Sequence, residues 1–332
     1  MKTLWTMREP RTGRLRASLR GLLPAIITVP MVLLSSRTVP GAIGEFFDPT
    51  SSTGMAVNFV AQWVLVYAIP IAVALGLAIW LDRGSLARFG LDVDAEWVVN
   101  WGMGVGISLV GVTLWMTYGA SRDLFAVHPE RLTDFGGATL AVALAAAGLG
   151  LVFVFLGNIW EEIVFRGVML QNFAEGLVGR GLSVGWAVAG AMVASLVFFG
   201  AYHVPDRGVF VGLLTVPIGF VFALAYLLTG RLGLAIGVHM GRVPIELLQG
   251  ADLGAVQLPM VFEVGALSLA QTLESVAVDT VVSCSLVLVW ILVSKGKIEI
   301  ADGVWKASTS SEHPPSSTTG KSRGALPRAV DR

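Results

Sequence analysis

The stretch "NIWEEIVFRGVMLQ", residues 158–171, places two glutamates and an arginine inside one of the most apolar regions of the chain. Of the 332 residues, 55% are hydrophobic and 14% are charged, and the mean hydropathy is +0.74. Soluble domains usually carry about 25% charged residues. The composition therefore indicates a membrane protein, and the three charges need an explanation within a bilayer.

Apolar windows long enough to cross a bilayer as a helix, about 20 residues, recur along the chain. They predict an all-α, polytopic transmembrane helical bundle of about eight spans, at 21–36, 55–80, 98–118, 138–171, 184–204, 208–229, 232–249 and 276–294. The fourth window is too long for one crossing, so we expect a break within it or a continuation along the interface. The first window follows a basic leader, and we favour a retained helix there over a cleaved signal peptide.

The distribution of Lys and Arg predicts the orientation, because cytoplasmic flanks of membrane helices carry an excess of these residues. Both ends of the chain are rich in them, and residues 250–275 contain none. We therefore expect a multi-pass protein of the cell membrane with both termini in the cytoplasm. Residues 251–294 are then an external loop followed by the last span.

The remaining divisions follow from composition. We expect a basic cytoplasmic leader at 1–20, an N-terminal transmembrane region at 21–134 with an interfacial helix near 84–97, and a core at 135–250. The tail, 295–332, is rich in Ser, Thr and Pro from residue 307 onward, which predicts disorder. The formal net charge is zero, so no basic surplus indicates a nucleic-acid partner.

Charged side chains in mid-membrane cost several kcal/mol, so they are candidates for function unless they pair with one another. Glu162 and Arg166 stand four residues apart, a spacing that lets them pair on one helix face. Glu161 lies about 100° further round the helix and is left over, so it can point into a cavity as a general base. The alternative is that all three form a packing triad between helices without chemistry.

Two histidines lie in other apolar windows, His203 in "FFGAYHVPD" and His239 in "GLAIGVHMGRVPIE". Each alone is more often a hydrogen-bonded core residue. With Glu161, however, they make a set that hydrolytic enzymes use to hold a zinc ion or to position a water directly. No HExxH helix is present, so the cofactor stays unknown, with Zn²⁺ held by Glu161, His203 and His239 as one possibility.

Three motifs in this order resemble the CPBP (Abi) family of intramembrane proteases, which includes the CAAX prenyl protease 2-like enzymes. "EEIVFR", residues 161–166, matches the EExxxR motif, "FGAYH", residues 199–203, matches FxxxH, and His239 stands where HxxxN or HxxxD begins. The resemblance covers roughly residues 135–250. It implies an endopeptidase that cleaves membrane-associated peptide or protein substrates, such as prenylated CAAX C-termini or bacterial leader or bacteriocin-related peptides.

The resemblance also implies roles for individual residues. Glu161 activates a water, His203 helps to hold it, and His239 stabilises the oxyanion of the tetrahedral intermediate. Glu162 and Arg166 support the site, as does Phe199, the first residue of the second motif. Whether a metal takes part is open within the family.

One position departs from the family pattern. Val243 stands four residues after His239, where the family has Asn or Asp, and a valine cannot make the hydrogen bond of that position. Arg242 could supply a positive donor instead, or Pro244 could free a backbone carbonyl one turn earlier. A non-catalytic membrane protein for peptide binding or immunity therefore stays open as an alternative, and a small-solute transporter as a further one.

Overall fold

The computed structural model describes residue 9 and residues 13–48, 50–253 and 256–306. The helices of this part are α1 Ala17–Gly44, α2 Ser52–Asp82, α3 Ala95–Ser121, α4 Leu140–Val178, α5 Val184–Thr229, α6 Leu232–Met240, α7 Val243–Leu247 and α8 Leu269–Lys295. All except α6 and α7 are long and apolar enough to cross a membrane. This confirms the predicted all-α, polytopic bundle.

Helix α5 is a hairpin rather than one long rod. Gly208 has φ 83°, a conformation that side chains with a Cβ rarely adopt. The chain reverses there, since a Cβ on Gly200 would lie 2.7 Å from the carbonyl oxygen of Gly212. The two halves, 184–207 and 209–229, correspond to the separate windows predicted at 184–204 and 208–229.

Helix α4 is continuous over the window in which a break or an interfacial continuation was expected, but its winding changes along it. It runs as an α-helix over Leu140–Glu161, as a π-helix over Glu162–Leu170 and again as an α-helix over Gln171–Val178. The winding thus changes without any interruption of the helix. π-Helical turns are rare and occur frequently at functional sites, and this one begins at the second glutamate of the opening stretch.

The segment between α2 and α3 corrects one expectation. Instead of a continuous helix near 84–97 it forms a four-residue 3₁₀ helix, Leu86–Phe89. Gly90, at φ 77°, ends this helix, and its carbonyl oxygen accepts a hydrogen bond from the backbone of Leu232. Asp94 then caps α3 by accepting a bond from the backbone of Trp97 at 2.9 Å, so a new helix starts only at residue 95.

Close glycine contacts set α6 against α3. Gly233, Gly237 and Gly241 follow one another at intervals of four, a spacing that lets membrane helices approach closely. A Cβ on Gly237 would lie 2.1 Å from the carbonyl oxygen of Trp101, and one on Gly241 would lie 2.7 Å from that of Val105. These contacts fix the position of α6, which carries His239.

The end of the bundle where α1 begins holds a set of buried charges, called here the ion cluster: Arg14, Arg20, Asp82, Arg88 and Glu175. It joins α1, the end of α2, the 3₁₀ helix and the last turns of α4. The segment after α8 returns to the same end, because the amide of Gln171 donates to the carbonyl oxygen of Gly303 at 2.6 Å. Most of the predicted leader and the predicted disordered tail from residue 307 lie outside the described residues.

At the opposite end a short antiparallel ribbon joins β1 Phe125–Val127 to β2 Phe262–Val264, with Phe125 opposite Val264. It ties the loop after α3 to the segment before α8, which the sequence predicts to be an external loop. The sequence gives no clear signal for these strands, because each is only three residues long.

Candidate active site

The opening stretch places a fully buried ion pair in the middle of the bundle. Arg166 Nη1 lies 3.1 Å from Glu162 Oε1, and neither side chain has any exposed surface. Arg166 Nη2 also donates a hydrogen bond to the carbonyl oxygen of Gly219, at 3.1 Å. Glu162 and Arg166 are thus paired four residues apart, as their spacing predicts.

Aromatic rings enclose the guanidinium of Arg166. Its central carbon lies 4.2 Å from the ring centre of Phe199 and 5.5 Å from that of Phe222, distances typical of cation–π contacts. A Cβ on Gly219 would lie 3.0 Å from Arg166 Nη2 and 2.8 Å from the Phe199 ring, so only glycine fits there without a shift. Phe199 was expected from its motif, whereas Gly219 and Phe222 belong to no motif that the sequence offers.

His239 bridges the two glutamates. Its Nδ1 lies 2.9 Å from Glu162 Oε1, and because a carboxylate oxygen accepts, Nδ1 carries the proton. Phe222 stacks on the ring, with centres 4.1 Å apart and planes inclined by 17°. The other ring nitrogen of His239, Nε2, faces Glu161. It lies 3.7 Å from Glu161 Oε2, which is longer than a hydrogen bond. Nε2 therefore remains available to a third group.

The two adjacent glutamates differ in access. The side chains of Glu161 and His239 are 11% and 15% exposed, whereas that of Glu162 is 0% exposed. Within the described ranges the Glu161 carboxylate makes no hydrogen bond, so its oxygens are open to a water or a substrate. One glutamate thus braces the site and its neighbour faces an accessible space.

Among the described residues, His203 makes no hydrogen bond to Glu161, Glu162 or His239. Its Nδ1 donates to the carbonyl oxygen of Phe199 at 2.9 Å, so Nε2 of the neutral ring is an acceptor. Its ring centre lies 4.8 Å from that of Phe199, which in turn lies 6.4 Å from the ring of His239. Phe199 therefore separates the two histidines.

The residues that precede Glu161 and His203 pack against each other. Tyr202 packs its ring edge-on against Trp160, with ring centres 5.1 Å apart, so α4 and the first half of α5 are in contact beside the predicted catalytic residues. Glu161 and His239 lie 3.7 Å apart, whereas no hydrogen bond or ion pair between described residues joins His203 to either of them.

Residues 143–242 match the family described as Type II CAAX prenyl endopeptidase Rce1-like. The matched residues, called here the Rce1-like region, contain all three motif positions and confirm the resemblance that the motifs predict. The region lies inside the predicted core 135–250, whose boundaries stay a prediction. No curated protein and no solved structure matches the chain.

Arg242, the last residue of the Rce1-like region, is engaged by α8. Its Nη1 and Nη2 donate to the two carboxylate oxygens of Asp279 at 2.9 and 2.7 Å. Asp279 is only 2% exposed and also accepts a longer bond from the hydroxyl of Ser283 at 3.4 Å. The guanidinium that could have stood in for the missing motif donor instead holds the end of α6 against α8.

We expect Asp279→Asn to destabilise the protein by about 2 to 3 kcal/mol, slightly below the usual 3 to 5 for breaking a buried pair, because the Arg242 side chain keeps 15% exposure. Thermal unfolding of the detergent-purified protein measures the change. Arg242→Gln should cost a similar amount, and the double variant little more than either alone. Additive losses would show that the two residues act independently.

Val243 lies just beyond the Rce1-like region and is 3% exposed. Together with Val154 of α4 it lines a cavity of about 460 Å³, whose wall also includes Asn58 of α2 and Leu253. At residue 243, where the motif has Asn or Asp, the side chain is therefore apolar and forms part of the cavity wall.

A zinc site finds no support in these residues. Within the described part of the chain no three His, Cys, Asp or Glu side chains are arranged to hold a metal ion. Nδ1 of His239 donates to Glu162 and Nδ1 of His203 to a backbone carbonyl, which leaves Nε2 as the ring atom of each histidine that could bind an ion. Because the described donor side chains are not arranged around one point, no catalytic step is assigned to a metal.

Proposed function

We propose that this protein is an intramembrane endopeptidase, with Glu161 as the general base that activates water. The observation that carries the proposal lies within the Rce1-like region. There Glu161, accessible and without a hydrogen bond from any described residue, faces Nε2 of His239 at 3.7 Å, while a sealed Glu162–Arg166 pair fixes the other side of that histidine.

The reaction uses these groups in turn. The Glu161 carboxylate and Nε2 of His203 both accept hydrogen bonds from a water, which the carboxylate deprotonates as the water oxygen bonds to the peptide carbon. The carbonyl π electrons move to oxygen, and Nε2 of His239, when protonated, donates to this oxyanion. The intermediate then collapses, the C–N bond breaks, and Glu161 returns the proton to the leaving amine.

The match also guides the choice of substrate and orientation. A peptide with a prenylated CAAX C-terminus is the first substrate class to test. We further propose that both termini face the cytoplasm and that the protein resides in the cell membrane, because basic residues flank both ends. The described chain begins and ends at the same end of the bundle, which is consistent with an even number of crossings.

The alternative is a non-catalytic membrane protein that binds peptides or confers immunity on the same scaffold. Val243 favours it, since an apolar valine stands where the motif has Asn or Asp and lines the cavity beside α4. The two proposals differ in whether a peptide bond is broken.

The deciding experiment reconstitutes the purified protein in lipid vesicles with internally quenched peptides. The set includes a farnesylated CAAX peptide, the same peptide without the prenyl group, and an apolar membrane-spanning peptide. In oxygen-18 water, hydrolysis by wild type should place the label in the new carboxylate, and Glu161→Gln serves as the blank. Binding of these peptides by wild type without any labelled product would contradict the peptidase proposal and support the alternative.

A chelator separates the water mechanism from a metal mechanism. Because no three described donor side chains are arranged to hold a metal ion, hydrolysis by the vesicle-bound protein should continue after prolonged incubation with 1,10-phenanthroline. The non-chelating 1,7-isomer is the matched control. Loss of activity that added zinc restores would show that a metal takes part.

A further inference from the structure

Asn158 is the first residue of the stretch that carries Glu161, Glu162 and Arg166. It is 5% exposed, and among the described residues its Nδ2 has no hydrogen-bond partner. A buried amide left unpaired costs about 1 to 3 kcal/mol. Such a group therefore calls for an explanation beyond packing.

Helix geometry gives the direction of Asn158. Successive residues turn by about 100°, so the positions four before and four after it, Val154 and Glu162, lie about 40° to either side. Val154 lines the cavity with Val243, and Glu162 accepts from His239. Both neighbours therefore face α6 and α7, and Asn158 projects between them toward the same wall.

Contacts between α4 and the chain from 239 to 247 give the level of Asn158 along the bundle. A Cβ on Gly150 would lie 4.0 Å from the Leu247 side chain, and Val154 and Val243 share the cavity wall one turn further on. The chain from 239 to 247 thus runs antiparallel to α4. Asn158 falls between the level of Val243 and that of His239.

Asn158 is also close to the proposed base. It stands three residues before Glu161, and residues at this spacing are neighbours on a helix surface. Glu161 lies 3.7 Å from Nε2 of His239, and Asn158 stands on the adjacent turn of the same helix. Val243 has no side-chain amide, whereas Asn158 carries one on the facing helix, between the levels of Val243 and His239.

We propose that Asn158 is a catalytic residue whose Nδ2 donates a hydrogen bond to the substrate carbonyl oxygen, in place of the polar group missing at position 243. This assignment rests on the proposed peptidase function. As water adds to the carbonyl carbon and the electron pair moves to oxygen, the amide donates to that oxyanion beside His239. When the C–N bond breaks, the carbonyl re-forms and the proton on Glu161 passes to the amine.

The test combines a loss with a rescue. Loss of one oxyanion donor usually lowers kcat by about 100- to 1,000-fold, so Asn158→Leu should lower kcat by that factor with little change in KM for the farnesylated peptide. Because Nδ2 has no partner to lose among the described residues, the unfolding midpoint should stay the same or rise. Adding Val243→Asn to Asn158→Leu should restore a large part of kcat, since it returns an amide to the site from the facing wall.

Asn100 provides a matched control. It is also 5% exposed, but its amide oxygen accepts from Trp290 at 3.1 Å. Asn100→Leu should therefore lower the unfolding midpoint and leave kcat of the folded protein nearly unchanged. Asn158→Leu is thus expected to lose activity without stability, and Asn100→Leu to lose stability without activity.

The outcomes distinguish this assignment from the proposed function. If wild type cleaves the peptide, Glu161→Gln does not, and Asn158→Leu keeps its kcat, then Asn158 is not a donor and the peptidase proposal stands. A loss in Asn158→Leu that comes with a lower midpoint and no rescue by Val243→Asn would also overturn the assignment. A wild-type protein that binds the peptide without cleaving it overturns both.

Discussion

Glu161→Gln is expected to lower peptide hydrolysis by about 100- to 10,000-fold, the usual contribution of a positioned general base. Glutamine keeps the shape of the side chain but cannot take a proton from water. Because the Glu161 carboxylate makes no hydrogen bond to the described residues and keeps some exposure, the fold should not depend on its charge. The midpoint of thermal unfolding should therefore stay close to that of wild type.

Glu162→Gln is the matched control, since it makes the same change one residue further along. It removes the charge that Arg166 and His239 both contact, and breaking such a buried pair costs about 3 to 5 kcal/mol. Glu162→Gln should therefore lose stability and activity together, whereas Glu161→Gln loses activity alone. A Glu161→Gln protein that keeps more than a tenth of the wild-type rate would exclude Glu161 as the base.

Glu161→Gln also distinguishes a peptidase from a non-catalytic binding protein. A binder needs the shape of the cavity, which Glu161→Gln preserves, so its biological activity should survive the change. If the protein is a peptidase, Glu161→Gln should abolish its biological activity. Binding of the quenched peptide to the Glu161→Gln protein should persist in both cases and shows that the site is still formed.

Local spacing made part of this site predictable. Glu162 and Arg166 are four residues apart on one helix, so their pairing needs no knowledge of the fold. The apolar windows likewise predicted the long helices, including both halves of α5, because a bilayer imposes a minimum helix length. The window 232–249 was wrong as a single span, since it forms the two short helices α6 and α7. The motifs place Glu161, His203 and His239 on α4, α5 and α6, and their catalytic roles stay a prediction.

Contacts between distant segments were not predictable. Arg242 pairs with Asp279 on α8, and no local pattern connects residues so far apart. The role of Gly219 depends on the ring of Phe199, which reaches it only after the hairpin of α5 has formed. Asn158 looked like an ordinary polar residue in the opening stretch, because its unpaired amide becomes evident only once burial is known.

The ion cluster could be predicted only in part. Arg14 and Arg20 belong to the basic flank of the first helix and Arg88 to the predicted interfacial helix, positions at which charge normally faces water. In the structure the side chains of Arg20 and Asp82 are 0% exposed, and Arg20 Nε lies 3.2 Å from Asp82 Oδ1. A basic flank thus supplies part of the interior of the fold.

Asp82→Asn is expected to destabilise the protein by about 3 to 5 kcal/mol, the usual loss when one partner of a buried ionic group is removed. Arg20 and Arg88 lie 3.2 and 3.4 Å from this carboxylate. Its second oxygen accepts from the amide of Asn172 at 3.0 Å. After the change Glu175 remains as the nearly buried partner of the arginines, with help from Glu9, whose side chain is 27% exposed. Thermal unfolding in detergent measures the loss.

Asp92→Asn is the matched control on the exposed side of the same loop. Its carboxylate is 64% exposed and lies 3.4 Å from Arg231, so its removal should leave the unfolding midpoint nearly unchanged. Combining Asp82→Asn with Arg20→Met removes opposite charges together, and the double variant should lose less than the sum of the two single losses. A cost below about 1 kcal/mol for Asp82→Asn, the range of exposed pairs, would mean that water reaches the cluster and screens it. The ends of α1, α2 and α4 would then be held together by apolar packing rather than by these charges.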